Sequence, residues 1–280
     1  MKIPFVKMHG AGNDYVYIDG AKVDIPDLEK AAIIMSDRHF GVGGDGIVVI
    51  YPSNVADFKM RMFNIDGSEG KMCGNAVRCI AKYVYDRKMI RGFETSIETL
   101  SGIKYIDMFP DENDKIKSAK VNMGAPIFDA EDIPTTLDPS FGAKVTREGK
   151  EYELYCLSMG NPHAVMFVDD VKNYPVLTVG PMFERDEVFP ERCNVEFVEI
   201  VDKENCNIRI FERGSGETLS CGTGICAAAV TCIKLGLTKN RVNMHSAGGT
   251  LTIEYDGGDV FMTGPAEEVF SGEMEIDFKK

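Results

Sequence analysis

"RMFNIDGSEGKMCG" (61–74) returns without a gap as "RIFERGSGETLSCG" (209–222). At an offset of 148 residues, Arg61 falls on Arg209, Phe63 on Phe211, Glu69 on Glu217, Cys73 on Cys221 and Gly74 on Gly222. The two Cys-Gly pairs set this register. The same offset also carries Gly12-Asn13 onto Gly160-Asn161, a match the cysteines do not dictate. "GIVV" (46–49) falls on "NVEF" (194–197), a weaker correspondence. The period is about half the chain and far longer than the ~20–50 residues of solenoid and propeller repeats, so the reading is a duplicated domain.

Each half carries the same order of elements. Short β-branched or aromatic runs, "YVYID", "GIVVIY", "FKMRMF" and then "HAVMFV", "NVEFVEI", "CNIRIF", read as strands. The segment after each Cys-Gly reads as a helix. "GTGICAAAVTCIKLG" is apolar on most faces, as a helix inside its domain must be, and Gly236 ends it. "GNAVRCIAKYVYDRKM" is more amphipathic and is expected to end near Arg91-Gly92. The polar stretch "FPDENDKIKSAKV" (109–121) is the expected boundary, and "PAEEVFSGEMEIDFKK" is expected to return to the first domain. The expected domains are 1–118 with 265–280, and 119–264.

A chain of 280 residues has length for two domains, and 44% hydrophobic with 27% charged residues reads as a globular protein. The formal net charge of −13 argues against a nucleic-acid or anionic-membrane partner. No secretory h-region opens "MKIPFVKMHGAGNDY", and no run approaches the ~20 apolar residues of a membrane span. Eight cysteines spread through such a chain are expected to be reduced thiols of a cytoplasmic protein.

Several motifs fall away on context. "GVGGDG" (41–46) fits G-x-G-x-x-G, but the predicted helix "DLEKAAIIMSDRHF" precedes it and a strand follows, the reverse of a dinucleotide fingerprint. "GSGET" lacks the Lys-Ser/Thr of a phosphate loop. The cysteine spacings contain no zinc-ligand pair, so no metal site is expected. Cys79, Cys226 and Cys232 read as small buried hydrophobes. His163, in "GNPH", reads first as a structural hydrogen-bonder of a turn.

Cys73 and Cys221 carry the chemistry. A thiol at a helix start meets unpaired backbone N–H groups and the positive end of the helix dipole, both of which favour thiolate. Two such thiols, one per repeat, suit removal of a proton from one face of a carbon and delivery to the other. The glycine after each cysteine lets a substrate carboxylate approach the helix-start amides. A helix terminus is worth only ~0.3–2 kcal/mol, so water exclusion must strengthen these terms.

"KMHGAGNDYV", "FNIDGSEGKMCGNAVRC", "GNPH", "CNVEFV" and "ERGSGETLSCGTG" together resemble the diaminopimelate epimerases, cofactor-independent amino-acid epimerases. The resemblance spans residues 7 to 224. It implies an α+β fold of two pseudo-symmetric domains, each a curled, mostly antiparallel sheet around a central helix, with the active site in the cleft between them. It implies Cys73 and Cys221 as the acid/base pair, and amides of Gly74, Asn75, Gly222 and Thr223 around the reacting carboxylate. Asn64, Asn194 and Arg213 would take the distal carboxylate, and Glu212 with Asn64 the distal ammonium. Asn13 and Asn161 would line the pocket with His163 beside them. The implied substrate is diaminopimelate, with no cofactor. A homodimer is common in the family, while the residues themselves leave the oligomeric state open.

Gly46 stands where many family members carry Gln, so a contact there is absent or replaced. A racemase of another amino acid, such as histidine, shares the cysteine pair; the set Asn64, Asn194, Glu212 and Arg213 favours diaminopimelate. A cysteine hydrolase using His163 as base, or a non-catalytic binding domain, would leave the duplicated Cys-Gly site without a reason.

Overall fold

The computed structural model describes residues 1–279. The chain forms two compact units, Met1–Asn122 with Thr263–Lys280, and Met123–Met262. The helices are α1 (Leu28–Ser36), α2 (Gly74–Asp86), α3 (Val176–Glu184) and α4 (Gly222–Lys234). Strands far outnumber them, which makes the protein α+β.

Within each unit the pairing is mostly antiparallel, with parallel pairs at equivalent places, among them the pair joined through a crossover helix. In the first, strand Asn13–Asp19 runs parallel to Gly46–Pro52 with Tyr15 opposite Gly46. In the second, Pro162–Phe167 runs parallel to Asn194–Ile200 with His163 opposite Asn194. The next pairs are antiparallel, Ile47 opposite Phe63 and Val195 opposite Phe211. Residues at the 148-residue offset therefore hold the same place in each ladder. Arg61 and Glu69 make a two-pronged ion pair at 2.7 and 3.0 Å, and Arg209 and Glu217 repeat it at 2.6 and 3.0 Å.

α1 and α3 are the crossovers that parallel pairing requires, and each lies at the same offset from the other. Ala31, Ala32 and Met35 of α1 pack with Val16, Ile47 and Val49 of the first unit. Val176, Val179 and Phe183 of α3 pack with Val195 and Phe197 of the second. Burying each of the larger side chains, the valines, Ile47, Met35 and the phenylalanines, is worth about 1.5–3 kcal/mol, and the two alanines less. The central helices α2 and α4 lie against the sheets as well, and nearly every residue of both is buried.

α2 departs from the amphipathic reading. Arg78 and Lys82, which would mark its polar face, are buried. Arg78 donates to the Gly74 and Pro265 carbonyls and to Asn75 Oδ1, and Lys82 bonds Asp86 and the Ile116 carbonyl. The helix also stops earlier than Arg91-Gly92. Lys88 takes the left-handed conformation, φ 58°, and Met89 N donates to the Val84 carbonyl. α4 ends as the sequence predicts, at Gly236, φ 68°, with Leu237 N donating to Cys232.

The stretch 109–121 is a hairpin, strands Gly102–Pro110 and Ile116–Gly124 pairing across its polar turn. Near the other end of the chain, Glu267–Glu275 pairs antiparallel with Lys2–Gly10 in the first unit. Among the described residues, no helix is long and apolar enough to cross a membrane.

Candidate active site

Each cysteine of the repeat is the N-cap of its unit's central helix. Cys73 has extended backbone, φ −137° and ψ 120°, and Cys221 the same at −119° and 115°. Neither side chain caps the first-turn N–H groups. Gly74 and Asn75, and Gly222 and Thr223, are the first residues of α2 and α4. These early amides have no partner inside a helix, so a bound anion can satisfy them.

In the first unit, Cys73 donates its S–H to Asn13 Oδ1 at 3.2 Å. The same oxygen accepts from Asn75 Nδ2 at 3.3 Å, while Asn75 Oδ1 accepts from Arg78 at 2.7 Å. Asn13 Nδ2 donates to Asp45 Oδ2 at 2.7 Å. Asp45 and Asp14 share Arg38, and Lys7 pairs with Asp14. Burial raises the Asp45 carboxyl and the nearby Asp14 charge adds to it. Asp14 resists the same burial, because hydrogen bonds from Arg38 and Lys7 outweigh it and hold its carboxyl low.

Asn64 ends strand Phe58–Asn64 and bonds Ser68 Oγ at 3.0 Å, while the next residue, Ile65, donates its N–H to the Asp45 carbonyl. Gly46 lies opposite Asn64 in the ladder. A Cβ at Gly46 would stand 2.0 Å from the Phe63 carbonyl oxygen and 2.9 Å from the Tyr15 ring. No glutamine can occupy this position without moving backbone.

In the second unit, Cys221 Sγ lies 3.4 Å from Thr223 Oγ1. Burial pushes this thiol well above its ordinary range, the Glu212 charge pushes it further, and the Thr223 hydroxyl opposes them. The helix-start argument favours a lowered value; at Cys221 desolvation and the carboxylates win. Glu212 accepts from the Thr218 hydroxyl. Asn194 accepts from Arg213 N and donates to the Pro162 carbonyl, both at 3.0 Å. The Arg213 guanidinium reaches the Glu191 carbonyl at 3.0 Å.

His163 is fully buried. Its Nε2 lies 3.0 Å from Asn161 Oδ1, and its Nδ1 lies 2.7 Å from Glu196 Oε1. Glu196 is the residue the sequence reading missed. It alternates with apolar neighbours in "NVEFVEI", a pattern that puts a carboxylate in solvent, yet its exposure is 0%. The signal that could have found it is its place two residues beyond Asn194.

Of the eight cysteines, all free thiols, seven are buried and Cys73 is partly exposed. Burial lifts Cys79 to about 11 and Cys156 to about 12. Among the described residues no group of three or more His, Cys, Asp or Glu could hold a metal ion.

Solved structures of this architecture place the fold among epimerases and proteins of the phenazine-biosynthesis PhzF family. A PhzF-family protein of Bacillus anthracis matches with a TM-score of 0.73 at 19% identity, covering 99% of this chain and 100% of that one. A hydroxyproline epimerase of Agrobacterium vitis matches at 0.71 and 14% identity, over 98% and 91%. At sequence level the diaminopimelate epimerase family model matches residues 5–128 and 155–269. The diaminopimelate epimerase of Agathobacter rectalis is 48% identical over 97% of this chain and 99% of its own. That of Leptospira biflexa is 47% identical over 99% and 100%. The chain belongs to the diaminopimelate epimerase family.

Proposed function

We propose that this protein interconverts LL- and meso-diaminopimelate, in the supply of lysine and peptidoglycan precursors. The observation that carries the reading is the duplicated helix start: Cys73 and Cys221 are the N-cap residues of α2 and α4 at the same place in each repeat.

One thiolate removes the α-proton and becomes a thiol. The electron pair left on the α-carbon spreads into the adjacent carboxylate, which the amides of Gly74, Asn75, Gly222 and Thr223 hold. The other thiol gives its proton to the opposite face and becomes a thiolate. Exchanged protonation states run the reaction backwards, so no cofactor is called for. Asn64, Asn194 and Arg213 take the distal carboxylate, where a guanidinium fork suits two oxygens. Glu212 with Asn64 takes the distal ammonium, and Asn13, Asn161 and His163 complete the pocket. The divergence of Asn64 from Glu212, which share a repeat position, suits a symmetric reaction on an asymmetric molecule.

The test is an assay in D2O with dialysed protein, reductant and LL-diaminopimelate. Deuterium at one α-carbon with appearance of the meso isomer is the expected result. Exchange with histidine but not diaminopimelate overturns the substrate; no exchange with any amino acid overturns the chemistry. Cys73→Ala and Cys221→Ala are each expected to abolish turnover. Reduced thiols fit a cytoplasmic setting. A homodimer would elute at twice the 30.9 kDa chain mass by light scattering.

A further inference from the structure

Asn13 and Asn161 hold the same position in the repeat, yet their amides are fixed in opposite senses. Asn13 gives its Nδ2 to Asp45 and so offers its oxygen to Cys73. Asn161 has its oxygen engaged by His163 Nε2 at 3.0 Å, which leaves its NH2 group as the end that donates. We infer that Glu196 is a positioning residue: by binding His163 Nδ1 it keeps the proton on Nε2, and that proton fixes Asn161 as a hydrogen-bond donor to a carboxylate oxygen of the substrate. The inference rests on the epimerase reading for its substrate, but not for its geometry.

Three observations support it. His163 and Glu196 are both fully buried and 2.7 Å apart, so no water competes for the ring. Glu196 Oε2 is buried and has no side chain to hydrogen-bond it. A carboxylate oxygen left so is costly, whereas the carbonyl oxygen of a protonated carboxyl is much less so. Glu196 therefore donates its own proton from Oε1 to Nδ1, and the ring carries its proton at Nε2. Burial also raises the Glu196 carboxyl, against the pull of His163.

The third observation is a paired divergence. A Cβ at Gly224, in the first turn of α4, would lie 2.5 Å from Glu196 Oε1. In the first unit the positions of Glu196 and Gly224 are held by Val48 and Ala76, both fully buried. The second copy has lost a methyl on the helix where it gained a carboxyl on the strand. Tyr15 stands where His163 does, so the buried pair belongs to the second copy alone.

That divergence supplies a variant that can pack. Glu196→Val with Gly224→Ala rebuilds the first unit's combination and removes the carboxyl; Glu196→Gln keeps a donor for Nδ1. Ring-nitrogen NMR of protein labelled at its four histidines, assigned with His163→Asn, reads the Nε2 proton. Kinetics with LL-diaminopimelate read KM and kcat separately. The double variant should lose the Nε2–H signal and raise KM about ten-fold, the loss of one hydrogen bond, with kcat changed far less. Glu196→Gln should keep the signal and stay within about three-fold of the wild-type KM. A double variant with wild-type KM and unchanged His163 signals overturns the inference, as does a Glu196→Gln protein that keeps Nε2–H but loses affinity. Absence of α-proton exchange in the wild type would overturn the epimerase reading instead, and the NMR comparison would still decide the geometry.

Discussion

Asp45 accepts the Asn13 amide N–H at 2.7 Å, and that bond decides which end of Asn13 meets Cys73. With Nδ2 committed to a carboxylate, Oδ1 is the end left for the thiol 3.2 Å away. Asp45→Ala frees the amide to turn. The expected result is a fall of about ten-fold in kcat/KM, the scale of one hydrogen bond. Steady-state kinetics beside a thermal melt check it; full activity in a folded variant would show that Cys73 does not need the acceptor.

Thiol accessibility separates the two cysteines. Cys73 is partly exposed and the other seven are buried, so brief alkylation of native protein at pH 7 should place a single adduct on Cys73. In a Cys73→Ser background, labelling of Cys221 should rise with pH through a midpoint above the ~8.5 of an ordinary thiol, because burial and Glu212 favour its protonated form. Peptide mapping across a pH series reads both. A Cys221 midpoint near neutrality would mean that the helix start outweighs desolvation after all.

The same proton affinity has a consequence for stability. A thiol whose folded pKa is raised holds its proton where the unfolded chain has released it, so its contribution is full below the unfolded value and declines as pH rises beyond ~8.5. Denaturant midpoints of wild type and Cys221→Ala should therefore converge or cross between pH 8 and 10. Parallel curves would argue that the thiol titrates alike in both states.

Lys88 and Gly236 are the equivalent left-handed residues that end α2 and α4, at φ 58° and 68°. A side chain there costs energy that glycine avoids. Lys88→Gly should stabilise the protein by about 0.5–1 kcal/mol, measured by chemical denaturation, and Gly236→Lys should do the reverse. A loss of stability in Lys88→Gly would point to a contact of the Lys88 side chain that outweighs the strain.

Gly46→Gln should destabilise by about 2–3 kcal/mol or prevent folding, because its Cβ would meet the Phe63 carbonyl oxygen at 2.0 Å. A folded variant with an unchanged melting temperature would show that this backbone gives way easily.

The repeat is legible because an offset without gaps survives from Asn13 to the end of α4, across strands, crossovers and cap. α3 was not readable: "VLTVGPMFE" is rich in β-branched residues and contains Pro181, and it is a helix because Phe183 and its neighbours have a core to fill. Arg78 and Lys82 were misleading for the opposite reason, since backbone carbonyls and Asp86 satisfy them inside the unit. Glu196 was hidden by alternation. A strand covered on both faces, by α3 against Val195 and Phe197 and by α4 against Glu196, has no solvent side for a polar residue to mark. Motifs point to the cysteines, the asparagines and Arg213 as candidates; the direction in which each amide points is not in them, being set by three-dimensional partners such as Asp45 for Asn13 and His163 for Asn161.

Strand Lys2–Gly10 pairs with Glu267–Glu275, so the first unit is made from chain synthesised at widely separated times. During translation, residues 123–262 can complete their own sheet while the first strand still waits for a neighbour on one side. The second repeat is thus the one able to fold as it emerges, and the first is completed last.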